Sequence, residues 1–237
     1  SGVAVISLPS NLLLEGGDTA LDGTTQTVNL GNSNAVTLGT GGTVGVDATS
    51  LDKVAGPEVE LRGATVQVTG DNVSLRGLAW VPDTTAIAVQ AGADGALIER
   101  NVLGSGAAAW VSPTTPAAGD LVAVSAASGG LFQRNLVAFG TGHGLSLDLG
   151  AGDWVVTWNE FRDLGNAAAD AAVWLGSNTS GTEVRVNLFW NNRTGVSVAG
   201  GSDSWITGNT LGASSSAAVR ISGGAGNDTD VTRNLIA

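Results

Sequence analysis

From about residue 70 onward, short apolar alternations separated by glycine and small polar residues recur along the chain. In each recurrence an inward-type residue stands three positions before an asparagine, and a second stands two positions after it. Ile98-Asn101-Leu103, Phe132-Asn135-Val137, Val156-Asn159-Phe161, Val184-Asn187-Phe189, Ile206-Asn209-Leu211 and Val231-Asn234-Ile236 all fit this frame. The asparagines are 34, 24, 28, 22 and 25 residues apart. An earlier copy, Leu75-Leu78-Trp80, carries Leu in the Asn slot. Period-2 alternation predicts strands whose side chains point inward and outward by turns. A fixed frame at irregular periods near two dozen residues predicts a solenoid with loops of varying length.

A second strand type completes each coil. Ile87 and Val89, Val122 and Val124, Leu145 and Leu147, Val173 and Leu175, Val196 and Val198, and Val219 and Ile221 alternate with small or polar residues. This ladder lengthens in the same coils as the asparagine frame, as insertions into shared loops would make it. The largest insertion falls around Ala107 to Pro116, and a shorter bulge around Gly165 to Asp170. Before residue 70 the frame is missing, and six apolar runs predict further strands: Leu12 to Leu14, Val28 to Leu30, Val36 to Leu38, Val44 to Val46, Val59 to Leu61 and Val66 to Val68. No helical periodicity of useful length is visible. The expectation is one all-β domain over residues 1–237, a β-solenoid of roughly nine to ten coils, regular from about 70 to 237.

The recurrent asparagine suits a corner. Asn tolerates left-handed backbone and its amide bonds neighbouring backbone, so stacked copies form a buried ladder. These six asparagines are read as structure rather than as ligands or catalysts. Asn187 is expected to matter more to stability than Asn192, which reads as a loop position.

Charge narrows the partners. Twenty-one acidic residues against ten basic ones leave −11, and nine of the ten are Arg, with Lys53 alone as lysine. That sign opposes nucleic acid, whose binding rests on phosphate neutralisation. It also opposes polyanions unless a cation intervenes. With no Cys, neither disulfides nor thiolate metal sites arise. No apolar run approaches the roughly 20 residues of a bilayer span, so membrane insertion is not expected. Ser1 to Ser10 lack the basic start of a signal peptide; a chain whose leader has been removed looks like this.

Strand pairs with an inward aliphatic, Asn three later and Leu or Phe two further on resemble the right-handed parallel β-helix repeats of the pectate-lyase-like superfamily. Asp71-Asn72-Val73-Ser74-Leu75-Arg76-Gly77-Leu78 resembles an early coil of that group, and Glu60-Leu61-Arg62-Gly63 is in keeping. The resemblance implies a right-handed hand for the solenoid. It leaves chemistry open, since such proteins include lyases, hydrolases, epimerases, phage spikes and non-catalytic surface proteins.

No catalytic set is complete. Gly140-Thr141-Gly142-His143-Gly144-Leu145-Ser146 resembles a polygalacturonase segment, yet its Asn-Thr-Asp, Asp-Asp and Arg-Ile-Lys companions are missing. Asp120, Asp148 and Asp153 are single carboxylates at different coil positions, where glycoside hydrolysis needs a pair. His143 therefore reads as a surface turn residue. A lyase resemblance implies an arginine base beside Ca²⁺ held by carboxylates. Arg100, Arg134 and Arg233 form an outward row, but Glu99 and Gln133 beside it are too few for a calcium shell. Arg162-Asp163 and Asp170 read equally as a cleft or as a solvated charge pair. Among the tryptophans, Trp80 and Trp205 read as core, while Trp110, Trp158 and Trp190 read as loop residues able to stack on sugars or on another chain.

The sequence thus leads to a non-catalytic extracellular or cell-surface scaffold, self-associating head to tail through its solenoid ends into filaments, with no catalytic, cofactor or metal residues. This expectation draws on the stop at Asn234-Leu235-Ile236-Ala237, in mid-coil. The alternatives are a polysaccharide lyase or glycoside hydrolase acting on an acidic glycan, with Ca²⁺ only in that case, and a carbohydrate-binding surface protein.

Overall fold

The computed structural model describes residues 2–222 and 228–237, apart from the side chain of Leu30. Three parallel sheets run the length of a right-handed β-helix, and each regular coil visits them in the same order. Sheet I has eight strands: Leu12–Leu14, Val66–Val68, Ile87–Val89, Val122–Ser125, Leu145–Asp148, Val173–Leu175, Thr194–Val198 and Ala217–Ile221. Sheet II also has eight, running from Ala20–Asp22 and Ser74–Arg76 to Trp205–Thr207 and Asp230–Thr232. Sheet III has nine, from Ala4–Leu8 and Val59–Gly63 to Thr210–Gly212 and Leu235–Ile236.

The register puts like on like. Ile87 pairs with Val122, Val122 with Leu145, Leu145 with Val173 and Val173 with Val196. On sheet II, Ile98, Phe132, Val156, Val184, Ile206 and Val231 pair in succession. Phe161 and Phe189, paired on sheet III, stack at 5.0 Å and 7°. These columns are fully buried in mid-rod and form one continuous core. Trp80 and Trp154 complete it, the latter donating from Nε1 to the Ala127 carbonyl at 2.8 Å.

The asparagines form the expected ladder at the corner between sheets II and III. Each Nδ2 donates to the next amide oxygen: Asn101 to Asn135 at 3.2 Å, Asn135 to Asn159 at 3.1 Å and Asn159 to Asn187 at 3.0 Å. Asn187 continues it to Asn209 at 3.0 Å and Asn209 to Asn234 at 2.9 Å. The same nitrogens bond backbone carbonyls of the coil before, as Asn159 does to Phe132 at 2.9 Å. Leu78 ends the series, its N–H donating to Asn101 Oδ1 at 3.1 Å. Asn192 is not a free loop residue: it is 1% exposed, donates to the Phe161 carbonyl at 3.0 Å and accepts from Leu164 N–H at 3.2 Å.

The first 58 residues depart from expectation. Leu12–Leu14, Val59–Gly63 and Val66–Val68 join the coils as predicted, but Val28 to Leu30 ends a short helix, Thr24–Leu30. The runs at Val36 to Leu38 and Val44 to Val46 belong to no coil. They fold back as an antiparallel arm, Thr37–Leu38 against Val54–Ala55 and Gly42–Val44 against Thr49–Leu51. Trp205, expected in the core, points outward from sheet II and is 41% exposed.

Asn159→Ala strips a rung from mid-ladder and leaves buried groups of three coils unpaired. It is expected to cost about 3 kcal/mol in a chemical denaturation series, whereas Asn29→Ala, on the exposed helix surface, should stay within about 0.5 kcal/mol. Equal losses would remove the ladder from the explanation of the fold.

Candidate functional site

The corner that holds the ladder has a second consequence. The residue before each Asn slot must adopt left-handed backbone for the chain to turn within two residues. Gly77, Arg100, Arg134, Trp158, Val186, Gly208 and Arg233 all have φ between 53° and 66°. Glycine takes this conformation freely, whereas an L-residue loses roughly 1 kcal/mol or more. Only Gly77 and Gly208 use the inexpensive residue. At the other five positions large side chains are lifted outward in one column along the rod.

The arm turns part of that column into a cleft. It leaves the first coil, crosses the outer face of sheet III and reaches the last. At its base Glu58 accepts from Ser33 N–H at 2.8 Å and Asn34 N–H at 3.0 Å, and Asn34 Nδ2 donates to the Ala107 carbonyl at 2.9 Å. Midway, Thr40 N–H donates to Glu160 Oε2 at 2.7 Å. Near the tip Gly45 N–H donates to Thr210 Oγ1 at 2.9 Å, and Asp47 pairs with Arg233. Gly45 lies so close to the Gly208 carbonyl that a Cβ would sit 2.4 Å from its oxygen. Leu38 and Val54 bury themselves on Ala79, Val102 and Leu136 beneath.

Between the arm, the short helix and the corner lies a cleft of about 670 Å³. Gly77, Arg100, Arg134 and Trp158, from four successive coils, form its floor. Thr24, Thr27 and Val28 of the helix line one side, and Asp52, Lys53 and Pro57 of the arm line another. The Arg134 guanidinium lies 4.8 Å over the Trp158 ring. Among the described residues, Arg62, Arg76, Arg162, Arg185 and Arg233 are ion-paired, whereas Lys53, Arg100, Arg134, Arg193 and Arg220 are not, and the first three of these line the cleft. In a chain with twice as many acids as bases, three cations without carboxylate partners share one cavity. The acids present are Asp52 and Glu58. Glu58 is already engaged, since the hydrogen bond from Ser33 Oγ, aided by the Asn34 and Ser33 N–H groups, outweighs burial and lowers its pKa. Asp22, at the start of the short helix, is engaged as well: burial raises its pKa, but hydrogen bonds from Thr24 and Arg76 prevail and hold it low.

The other sequence candidates are dispersed. His143 is half-buried; its Nδ1 accepts from Ala171 N–H at 3.0 Å and its ring stacks on Trp174 at 5.1 Å and 8°. Asp120 accepts from His143 N–H at 2.8 Å and Asp148 from Ser177 N–H at 2.7 Å, so both serve backbone, while Asp153 stands on another corner. Arg162 pairs with Asp163 at 3.2 Å and lies 5.1 Å over Trp110, while Asp170 bonds the Asn166 and Ala167 N–H groups of its own bulge. Trp110 packs on Phe139 and Arg162 rather than standing free, and Trp190 is 41% exposed. Gln133 donates to Glu99 at 2.8 Å on sheet II. No group of three His, Cys, Asp or Glu is placed to hold a metal ion among the described residues. Of the Arg row, Arg100 and Arg134 enter the cleft; Arg233 is taken by the arm. Lys53 was missed because nothing near it in sequence marks it, and no helix among the described residues is long and apolar enough to cross a membrane.

No family model matches the sequence, and no curated protein matches it. Several solved structures do, all at low identity. ORF18 of Geobacillus virus E2 is 14% identical with a TM-score of 0.49, over 65% of this chain and 34% of that one. A periplasmic alginate epimerase, AlgG, is 16% identical with a TM-score of 0.47, over 76% of this chain and 49% of that one. The alginate lyase of Paenibacillus sp. str. FPU-7 is 10% identical with a TM-score of 0.34, over 97% and 98% of the two chains. This chain thus spans about a third of the viral protein and half of the epimerase. The β-helix assignment rests on the three sheets.

The arm tether titrates with a definite sign. Glu58 has a folded pKa below its ordinary value, so its contribution is complete above the ordinary glutamate range and is lost as pH falls from there through the lowered folded value. Asp47, lowered by its hydrogen bond to Arg233, acts in the same sense at the tip. Hydrogen-exchange protection of 37–55 should fall on acidification while that of sheet I persists, and Glu58→Gln should show the reduced protection at neutral pH. Unchanged arm protection in both experiments would refute this tether.

Proposed function

We propose that this β-helix is a non-catalytic carbohydrate-binding protein that holds an acidic saccharide in the cleft between the arm and the corner column. One observation carries the reading. Arg100, Arg134 and Trp158 occupy left-handed positions where glycine would be cheaper, and they converge on a cavity that also receives the chain's single lysine. Guanidinium groups grip carboxylates through paired donors, and an indole face matches the C–H face of a sugar ring. Arg134 can serve while lying on Trp158, because stacking occupies its π-face and leaves its edge donors free. Of the two carboxylates that line the cleft, Glu58 is tied to Ser33 and Asn34, which leaves Asp52 as a single acid there. The net charge of −11 argues against nucleic acid as the anion.

A second reading keeps the expectation of head-to-tail self-association. The outermost strands of sheet III expose Val5 and Ile6 at one edge, 52% and 47%, and Leu235 and Ile236 at the other, 47% and 63%. A second copy laid edge on edge would cover these side chains and pair the open strands. Monomers in sedimentation at high concentration would retire it without touching the binding reading.

The binding reading is tested with Arg100→Gly and Arg134→Gly. Each should weaken retention of a polyuronate, measured by calorimetry, about tenfold, equivalent to about 1.4 kcal/mol. Each should leave the melting temperature unchanged or raised, because glycine relieves the left-handed backbone. A loss of stability with unaltered binding would show that these arginines serve the fold instead.

A further inference from the structure

We propose that the outer face of sheet II is the contact through which two copies of this chain form an isologous dimer, with their rods antiparallel. The three faces of the rod differ in what they turn outward. In mid-rod, sheet I presents small and polar side chains, Gln67, Ala88, Ala123, Ser146 and Ser197, and its Trp174 is stacked on His143. The apolar column of sheet III, Ala79, Val102 and Leu136, lies beneath the arm and the insertion at Ala107 and Trp110. On sheet II an apolar stripe stays at the surface: Leu97, Leu131 and Val155 pair in consecutive coils, and Glu183 and Trp205 continue the column. The three aliphatics are half-buried and Trp205 is 41% exposed. A contiguous stripe of this kind marks an interaction surface.

Spacing and charge select the partner. The stripe repeats at the strand spacing, about 4.8 Å, and only a surface of the same rise keeps step with it over several coils. A second copy has that rise by identity. Beside the stripe runs a second outward column, Arg76, Glu99, Gln133, Thr157, Arg185 and Thr207. A two-fold axis along the rods would set the apolar column of one copy on this polar column of the other. A two-fold axis along the strands reverses the rods and sets apolar on apolar. With that axis between Leu131 and Val155, Leu131 meets the partner's Val155 and Glu99 meets the partner's Arg185. Glu99 accepts from Gln133 at 2.8 Å and lies 3.7 Å from Arg76, while Arg185 gives its Nε to Glu183 at 3.0 Å, so both keep atoms for a contact across the axis. Leu97 meets the partner's Glu183, which is held by its own Arg185, and Trp205 meets the partner's Ser74, small enough to leave room for an indole. A slide of one coil loses the match. In one direction Arg76 faces the partner's Arg185, a costly approach of like charges; in the other Glu99 faces the partner's Thr207.

The experiment is sedimentation equilibrium of the intact chain over a wide concentration range, with variants of the face. The native chain should pass from monomer to dimer and stop there. Glu99→Arg and Arg185→Glu should each weaken the dimer about tenfold or more, because each sets like charges face to face. Mixed in equal amounts, these two variants should dimerise as well as the native chain, since every facing pair is then of opposite sign. Leu131→Glu, beside the two-fold axis, should abolish the dimer while circular dichroism and the melting temperature show the solenoid intact. A native chain that stays monomeric at every concentration would overturn the proposal. So would growth beyond the dimer, which would place the contact at the strand ends, and so would a dimer that all three substitutions leave unchanged. Two folded charge variants that stay monomeric when mixed would overturn the antiparallel register.

Discussion

Coil-on-coil register at the corner between sheets II and III is the constraint from which the rest of this molecule follows. Three strands per coil must each pair in parallel with the coils before and after, so a slip at any one breaks all three. The asparagine column prevents the slip at the tightest turn. Each amide bonds the next amide and the preceding coil's carbonyl, so its position along the axis and around the rod is fixed together. The core columns then need only be apolar and of similar volume. Phe132, Phe161 and Phe189 coexist with Val and Leu neighbours because adjacent coils share the excess volume by stacking rings.

That corner also places chemistry. A two-residue turn demands left-handed backbone just before the asparagine, and the side chain there is forced outward whatever its identity. The fold thus provides an evenly spaced column of outward positions, at some backbone cost wherever glycine is absent. Arg, Trp and Val at such positions are a local conflict between preference and structure, and conflicts of that kind concentrate at functional sites. The arm supplies the remaining wall. Its polar tethers to Glu58, Glu160 and Thr210 let it lie on sheet III with a small apolar footprint, so the cleft is built without opening the core.

Much of this was legible in the sequence, because the solenoid repeats its own rule. The frame around Asn101 to Asn234, the paired aliphatic ladders and the outward arginines are all periodic, and periodicity survives loops of varying length. The arm was not legible, for a physical reason. Val36 to Leu38 and Val44 to Val46 have the composition of coil strands, and only their partners distinguish an antiparallel arm from a coil. Those partners lie far away: Thr40 meets Glu160 and Asp47 meets Arg233. Lys53 was hidden likewise, since the cleft it lines is completed by arginines from later coils. Trp205 and Asn192 were misread through their immediate neighbours, a one-residue step of phase in each case separating inside from outside.

The charge of the whole chain bears on how such a cleft would work. At −11 the protein repels an anionic chain at long range, and the three cations of the cleft act only within about a Debye length, near 10 Å in moderate salt. Encounter and capture therefore respond to salt in opposite directions. Screening lowers the long-range repulsion and speeds encounter, while it weakens the exposed contacts and speeds release. A basic protein would show both effects with one sign. Under the proposed binding, the cleft would hold an acidic saccharide by proximity and shape, with cations on two walls and an aromatic floor, because the overall field of the molecule works against arrival.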